Sequence, residues 1–374
     1  MAKKNTLEEY LNNLYELGLG GDEEAQLEFI RFYVTETDIP LPDEAQGWLR
    51  ALAEKGNDQA RRCYFSMAIS GDGGTHDWTK LEQWVLDTME SSPAEAHCML
   101  GMLYEPGLPG FSDAKKAAEH YRRAMECGNA GCGLYLARTY VRHEPEEHSP
   151  EELRELLEAA EKVNPCGYLY FLLATACDDL GDDDAAIRYY KKWHKLEPDN
   201  PDCSKAIASH YAMGQGVNQN YEIAMRYYQK AANQHDAEAL FILGAMYYVG
   251  HGTRRNDKRA VDYFTRALEQ GDTRSLYYLG KLYLCGKGIR ADEAKALSYI
   301  TQGIEIEDAW CYVSMADCYT NGIGVEQDFD KAAEWLDKAE ALMEGNDDED
   351  LDMYLSTCRA DLQSLRDEDE EISE

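Results

Sequence analysis

The chain has 374 residues, 44% of them hydrophobic, with 71 acidic against 37 basic side chains and a formal net charge of −34. So negative a surface repels nucleic acid and anionic membrane faces and favours a basic protein partner, and no run approaches the roughly 18 apolar residues that a membrane span needs. Eleven cysteines cannot all pair in one chain, and residues 1–20 lack the apolar core of a signal peptide, so a reducing, cytoplasmic setting is expected.

In chain order, the first predicted element is a helix over residues 6–18, inside an N-terminal cap of 1–24. Leu7, Leu11, Leu14 and Tyr10 share one face, with Thr6 placed as N-cap and Glu9 completing a capping box. Degenerate two-helix units are expected over 25–202. The first carries Ala25, Phe29, Ile30 and Tyr33, a loop marked by Pro40 and Pro42, and a second helix with Trp48 and Leu49. Ala60, Tyr64 and Ala68 begin the next, with Trp84 and Val85 on its second helix. Ala96, Leu100, Gly101, Tyr104 and Gly107 form one further series, and Cys132, Leu136, Ala137 and Tyr140 another.

Between residues 203 and 343 the pattern becomes regular. Tyr211, Tyr247, Tyr283 and Tyr319 recur every 36 residues, followed at constant offsets by Gly214 and Gly216, Gly250 and Gly252, Gly286 and Gly288, and Gly322 and Gly324. A small residue (Cys203, Ala239, Ser275, Cys311) stands four places before a large apolar one (Ile207, Leu243, Leu279, Met315), so each set lies on one helical stripe. Glycine ends that helix because it accepts a left-handed C-cap without steric cost. A second helix follows, marked by Ala224, Ala260, Ala296 and Ala332 and by aromatic and aliphatic pairs such as Tyr263 and Phe264. A fixed period of this size marks stacked units that bury apolar surface against their neighbours. About nine such units fit between Ala25 and Met343. Residues 344–374 read as an acidic linker, a helix near Leu351 to Leu365 and a disordered acidic tail from Arg366.

The run Leu243-Gly244, Tyr247, Gly250-His251-Gly252, Lys258-Arg259-Ala260, Tyr263-Phe264 resembles a Sel1-like repeat, a relative of the tetratricopeptide repeat, and four units over 203–343 share it. Tyr170, Leu173, Ala174, Cys177, Ala186, Tyr190 and Pro198 resemble instead the tetratricopeptide consensus. The resemblance implies an all-α, right-handed α-α superhelix with capping helices, and a role as adaptor or scaffold. Secreted cysteine-rich relatives, linked to β-lactam binding and hydrolysis, pair cysteines at a fixed spacing that no two cysteines here share.

Chemistry-bearing clusters are sparse. Cys132, Cys203 and Cys311 fill the slot that other units give to Ala or Ser, as small buried residues would, and Cys127 with Cys132 lacks the second pair of a zinc ribbon. His143, His148 and the glutamates between them form the richest ligand set, in a loop without defined geometry. Ser, His and Asp are scattered, and the clustered glycines recur once per repeat, so no catalytic, cofactor or metal residue is assigned.

If the first helix of each unit lines a concave groove, as the resemblance implies, Arg62, Arg138, Tyr168, Phe171, Lys205, Phe241, Tyr248, Arg274, Tyr277, Lys281, Trp310 and Asp317 point into it. Glu95, Glu105, Asp178, Asp202 and Glu238 are interspersed. Arginine and aromatic side chains are what binding hot spots are built from. The partner-binding candidates are therefore Arg138, Lys205, Phe241, Tyr248, Arg274, Tyr277, Lys281 and Trp310. Arg274, Tyr277 and Lys281 form one stripe that the packing code does not require. The expected function is a non-enzymatic scaffold that presents this groove to a protein or peptide. Two alternatives stand beside it: an acidic inhibitor or immunity protein that neutralises a basic toxin, and an enzyme akin to the β-lactam-binding relatives.

Overall fold

A computed structural model describes residues 2–36, 39–71, 76–143, 149–286, 289–343 and 349–373. Gly288, the loop residues Glu144 to His148 and the linker residues Glu344 to Asp348 lie outside them. Every regular element among the described residues is a helix, as the repeat pattern predicts. The chain divides into two compact units, Met1–Leu180 and Gly181–Glu374. The first holds α1 (Ala2–Leu19), α2 (Glu23–Glu36), α3 (Asp43–Glu54), α4 (Asp58–Ile69), α5 (Trp78–Asp87), α6 (Pro93–Tyr104), α7 (Ala114–Glu126), α8 (Cys132–His143), α9 (Pro150–Glu161) and α10 (Gly167–Asp179). The second holds α11 (Asp183–Leu196), α12 (Pro201–Met213), α13 (Tyr221–Ala232), α14 (Ala237–Val249), α15 (Asp257–Glu269), α16 (Ser275–Cys285), α17 (Glu293–Glu305), α18 (Ala309–Asn321), α19 (Phe329–Met343) and α20 (Glu349–Ser373).

One joint is rebuilt in each regular repeat. The first helix ends on a left-handed glycine, for example Gly250 at φ 93°, whose N–H donates to the Met246 carbonyl. Two residues on, a Cβ on Gly252 would stand 2.7 Å from the Tyr221 carbonyl, so the turn can lie against the preceding repeat only without a side chain. An Asn or Asp then caps the second helix. Asn220, Asn256, Asp292 and Asp328 each accept at 3.0 Å from the amide three residues ahead. Each also donates its own amide back to the carbonyl of the repeat tyrosine, Asn220 to Tyr211 and Asn256 to Tyr247 at 2.8 Å, Asp292 to Tyr283 at 3.1 Å and Asp328 to Tyr319 at 3.0 Å. Asp113 makes both contacts in the first unit, donating to Tyr104 at 2.8 Å and capping α7. That capping residue is legible at a constant offset but is absent from the sequence reading.

The packing slots are filled as the stripes predict. Ala224, Ala260, Ala296 and Ala332 are fully buried, as are Cys203, Ala239, Ser275 and Cys311. Gly244 faces Phe264 so closely that a Cβ would come within 2.7 Å of the ring, which is how a small residue lets two helices interlock.

Both ends of the chain differ from expectation. Helix α1 begins at Ala2, so Thr6 lies within the helix and not at its N-cap position. Its buried contacts come from Leu14 with Leu11 and Tyr15, whereas Leu7 and Tyr10 are exposed. Helix α20 continues to Ser373, through the stretch expected to be disordered. It buries Leu351, Leu355, Cys358 and Leu362 against α18 and α19, and so covers the last apolar face of the second unit.

Candidate partner-binding site

In the second unit, side chains from every other helix converge on one open pocket of about 630 Å³. Helix α14 contributes Phe241 and Tyr248, α16 contributes Tyr277, Tyr278 and Lys281, and α18 contributes Trp310. Arg274 and Asp308, the N-cap residues of α16 and α18, stand at the rim. These are first helices of successive repeats. The fourth wall is α20, through Asp350, Met353, Tyr354 and Thr357. Sequence reasoning missed this wall because α20 stands beyond the last regular repeat, where no neighbouring unit repeats its pattern.

Six of the eight candidates therefore meet at one place. The rings form a connected set: Tyr248 meets Tyr278 edge-on at 5.7 Å, Tyr277 lies 5.1 Å from Trp310, and Trp310 stacks on Tyr354 at 5.8 Å. Arg274 lies 4.2 Å above Phe241, and its Nε donates to Asp272 at 3.0 Å. That hydrogen bond, ahead of burial, holds the guanidinium above its ordinary pKa. Lys281 sits over Tyr277 and Tyr354 at 5.2 and 5.3 Å and donates to the Tyr277 hydroxyl at 2.8 Å. No carboxylate lies within ion-pair distance of it among the described residues. Beneath Tyr354, whose hydroxyl donates to its carboxylate at 2.8 Å, half-buried Asp317 is pushed up from the usual carboxylate range by burial.

The stripe of Arg274, Tyr277 and Lys281 is not free of packing duties. Tyr277 is only 9% exposed and packs with Leu276, Ile300 and Cys311, so the expectation that it serves no structural purpose is corrected. It forms the floor of the pocket, while Tyr248, Tyr278 and Trp310 keep accessible surface.

The other two candidates lie elsewhere. In the first unit Arg138 is locked in a two-point pair with buried Glu105, which also accepts from the Tyr121 hydroxyl at 2.6 Å. In the second, Lys205 is held by Asp202 at 3.2 Å and by Asp236 and Glu238 at 3.0 Å. Arg62 pairs with Glu95 at 2.9 Å in the same way, one repeat on. Glu95, Glu105, Asp202 and Glu238, four of the acids interspersed in the predicted groove, are thus partners of its bases, and this neutralises most of the cationic character read from the sequence. Tyr168 is 37% exposed and lies 6.1 Å from Phe171 in the first unit, and neither is among the residues that line the pocket. Among the described residues no group of three or more His, Cys, Asp or Glu side chains could hold a metal ion, and no helix is long and apolar enough to cross a membrane.

The Sel1 repeat family model matches five stretches: residues 94–129, 204–236, 237–272, 273–305 and 311–342. The last four are the regular repeats. The first is the unit with Tyr104 and Asp113, which reads as degenerate on side chains yet keeps the same capped joint. The fold is similar to a protective antigen of uropathogenic Escherichia coli displaying an SLR fold, at 22% identity over 88% of this chain and 79% of that one, with a TM-score of 0.62. It is also similar to a Sel1 repeat protein from Oxalobacter formigenes, at 22% identity over 89% and 99% of the two chains, with a TM-score of 0.58. No curated protein sequence matches the chain.

Proposed function

Because the chain carries five Sel1 repeats, we propose that it is a non-enzymatic, cytoplasmic protein-interaction scaffold whose anchoring site is the aromatic pocket between α14, α16, α18 and α20. The observation that carries this reading is the convergence of six rings around Lys281, which makes no ion pair with a carboxylate among the described residues. A partner peptide would seat a large apolar or aromatic side chain among Tyr248, Tyr278 and Trp310. A neighbouring carboxylate of the peptide would accept from the Lys281 ammonium. A preformed pocket on rigid helices keeps the ordering cost of binding low.

The test is a peptide-display selection against the full chain, followed by affinity measurement of the selected peptides on Tyr248→Ala and Lys281→Met variants. Each change is expected to weaken binding, with the pair costing about 2 kcal/mol or more if these are hot-spot positions. Unchanged affinity in folded variants would remove the pocket from the reading.

The formal charge of −34 supports a second reading, in which the acidic surface neutralises a basic protein. An on-rate that falls steeply with added salt, together with indifference to the pocket variants, would favour it.

A further inference from the structure

We propose that the first unit carries a two-histidine site for a borderline transition-metal ion such as Cu²⁺, Ni²⁺ or Zn²⁺, formed by His97 of α6 and His120 of α7. The proposal is independent of the pocket and of the scaffold reading. The two Nδ1 atoms face each other at 3.1 Å, with the rings 5.3 Å apart and inclined by 32°. A tetrahedral ion with metal–nitrogen bonds of roughly 2.0–2.1 Å sets its ligand atoms about 3.3 Å apart, and a right-angled pair stands about 2.9 Å apart. The observed separation lies between these values, so both rings can bind one ion with little movement.

Comparison with the other repeats shows that packing alone does not call for this pair. Stepped along the chain, the slots of His97 and His120 are held by Leu240 and Tyr263, by Leu276 and Tyr299, and by Tyr312 and Trp335. The last pair meets edge-on at 5.5 Å, as an apolar contact between the same two helices. Only the repeat at 94–129 puts imidazole on both sides. Tyr104 fixes one ring by stacking on His120 at 5.8 Å, and its hydroxyl donates to the Glu82 carboxylate.

The electrostatics suit a neutral nitrogen donor. His97 and His120 are each half-buried, so the pair is held in place between the two helices yet remains reachable from solvent. The negative charges of Glu82 on α5 and Glu119 on α7 favour a cation at His120, those of Glu119 and Glu126 do so at His97, and Arg123 opposes them at both. Without metal, one Nδ1–H donates to the other ring. On binding, the donor ring moves its proton to Nε2, so that both Nδ1 lone pairs face the ion and no proton is released. The remaining coordination positions fall to water, since among the described residues no third protein ligand stands in the cluster.

The experiment is titration of Cu²⁺ into tag-free full-length protein, read by calorimetry and by pulsed electron paramagnetic resonance, which counts coordinated imidazoles. One ion with two imidazoles is expected. The variant H97L/H120Y restores the pair that the regular repeats use, so it should keep the helical fold while affinity falls by about tenfold or more. H143Q/H148Q, which removes the two histidines that flank Glu144 to Glu147 in the sequence, should leave binding unchanged. Absence of saturable binding, a single coordinated imidazole, retained affinity in H97L/H120Y, or loss of binding in H143Q/H148Q would each overturn the site and leave the histidines as a proton-sharing contact.

Discussion

Arg138 grips Glu105 of the preceding repeat at two points, Nε to one carboxylate oxygen at 2.8 Å and Nη2 to the other at 2.6 Å, and the carboxylate is almost fully buried. Removing one member leaves a buried charge without its counter-ion. Replacing Arg138 with Met should destabilise the protein by about 3–5 kcal/mol in urea unfolding, and the double change with Glu105→Leu should recover much of that loss. A single-variant loss below about 1 kcal/mol would show that the pair behaves as a surface contact.

The pocket floor and its cation should separate in their effects. Tyr277→Ala empties a buried slot and is expected to cost about 3–5 kcal/mol, as large aromatic truncations do. Lys281→Met keeps the stem over Tyr354 and should cost less than about 1 kcal/mol. Thermal unfolding of both variants decides this, and equal losses would contradict the assignment of Tyr277 to the floor.

The capped joint predicts a graded series. Asn256→Ala removes a side-chain acceptor from the Arg259 amide and should cost about 1 kcal/mol, whereas Asn256→Gly should cost only a few tenths. If the two substitutions had the same effect on the melting temperature, the cap would not be contributing through its side chain.

Asp317 gives a pH dependence of defined sign. Burial raises its folded pKa above that of the unfolded chain, so its ionised form is disfavoured in the fold. Its contribution is unfavourable at neutral pH, and the penalty lessens as pH falls through the folded pKa toward the unfolded value. Asp317→Asn keeps an oxygen to accept from Tyr354, so it should stabilise the protein at neutral pH and flatten the mildly acidic limb of its pH–stability curve. A variant that is less stable at neutral pH would show that Lys281 outweighs burial.

The cysteines should be inert to reduction. Burial raises the thiols of Cys203 and Cys311, the first to about 11, and both fill the small-residue slot. Added reductant is expected to leave the melting temperature unchanged, and a marked drop would reveal a structural disulfide.

The helical class, the four regular repeats and the packing slots were legible in the residues themselves, because the small and large side chains of one stripe recur at a fixed interval and each fills the same place. Tyr211, Tyr247, Tyr283 and Tyr319 mark that interval, and the glycines after them require the same turn. The same logic placed Phe241, Tyr248, Tyr277, Lys281 and Trp310 on first helices that share a face. Tertiary structure alone decided which cations stay unpaired. The neighbour that neutralises Arg138 or Lys205 stands one repeat away, and ion pairing depends on side-chain reach across the interface rather than on the period. It alone also brought α20 onto α18 and α19, since α20 does not carry the repeat pattern and its register is therefore not set by the period. The facing of His97 and His120 follows the same rule: the repeat sets the two slots opposite each other, and the chemistry appears only where both are filled by imidazole.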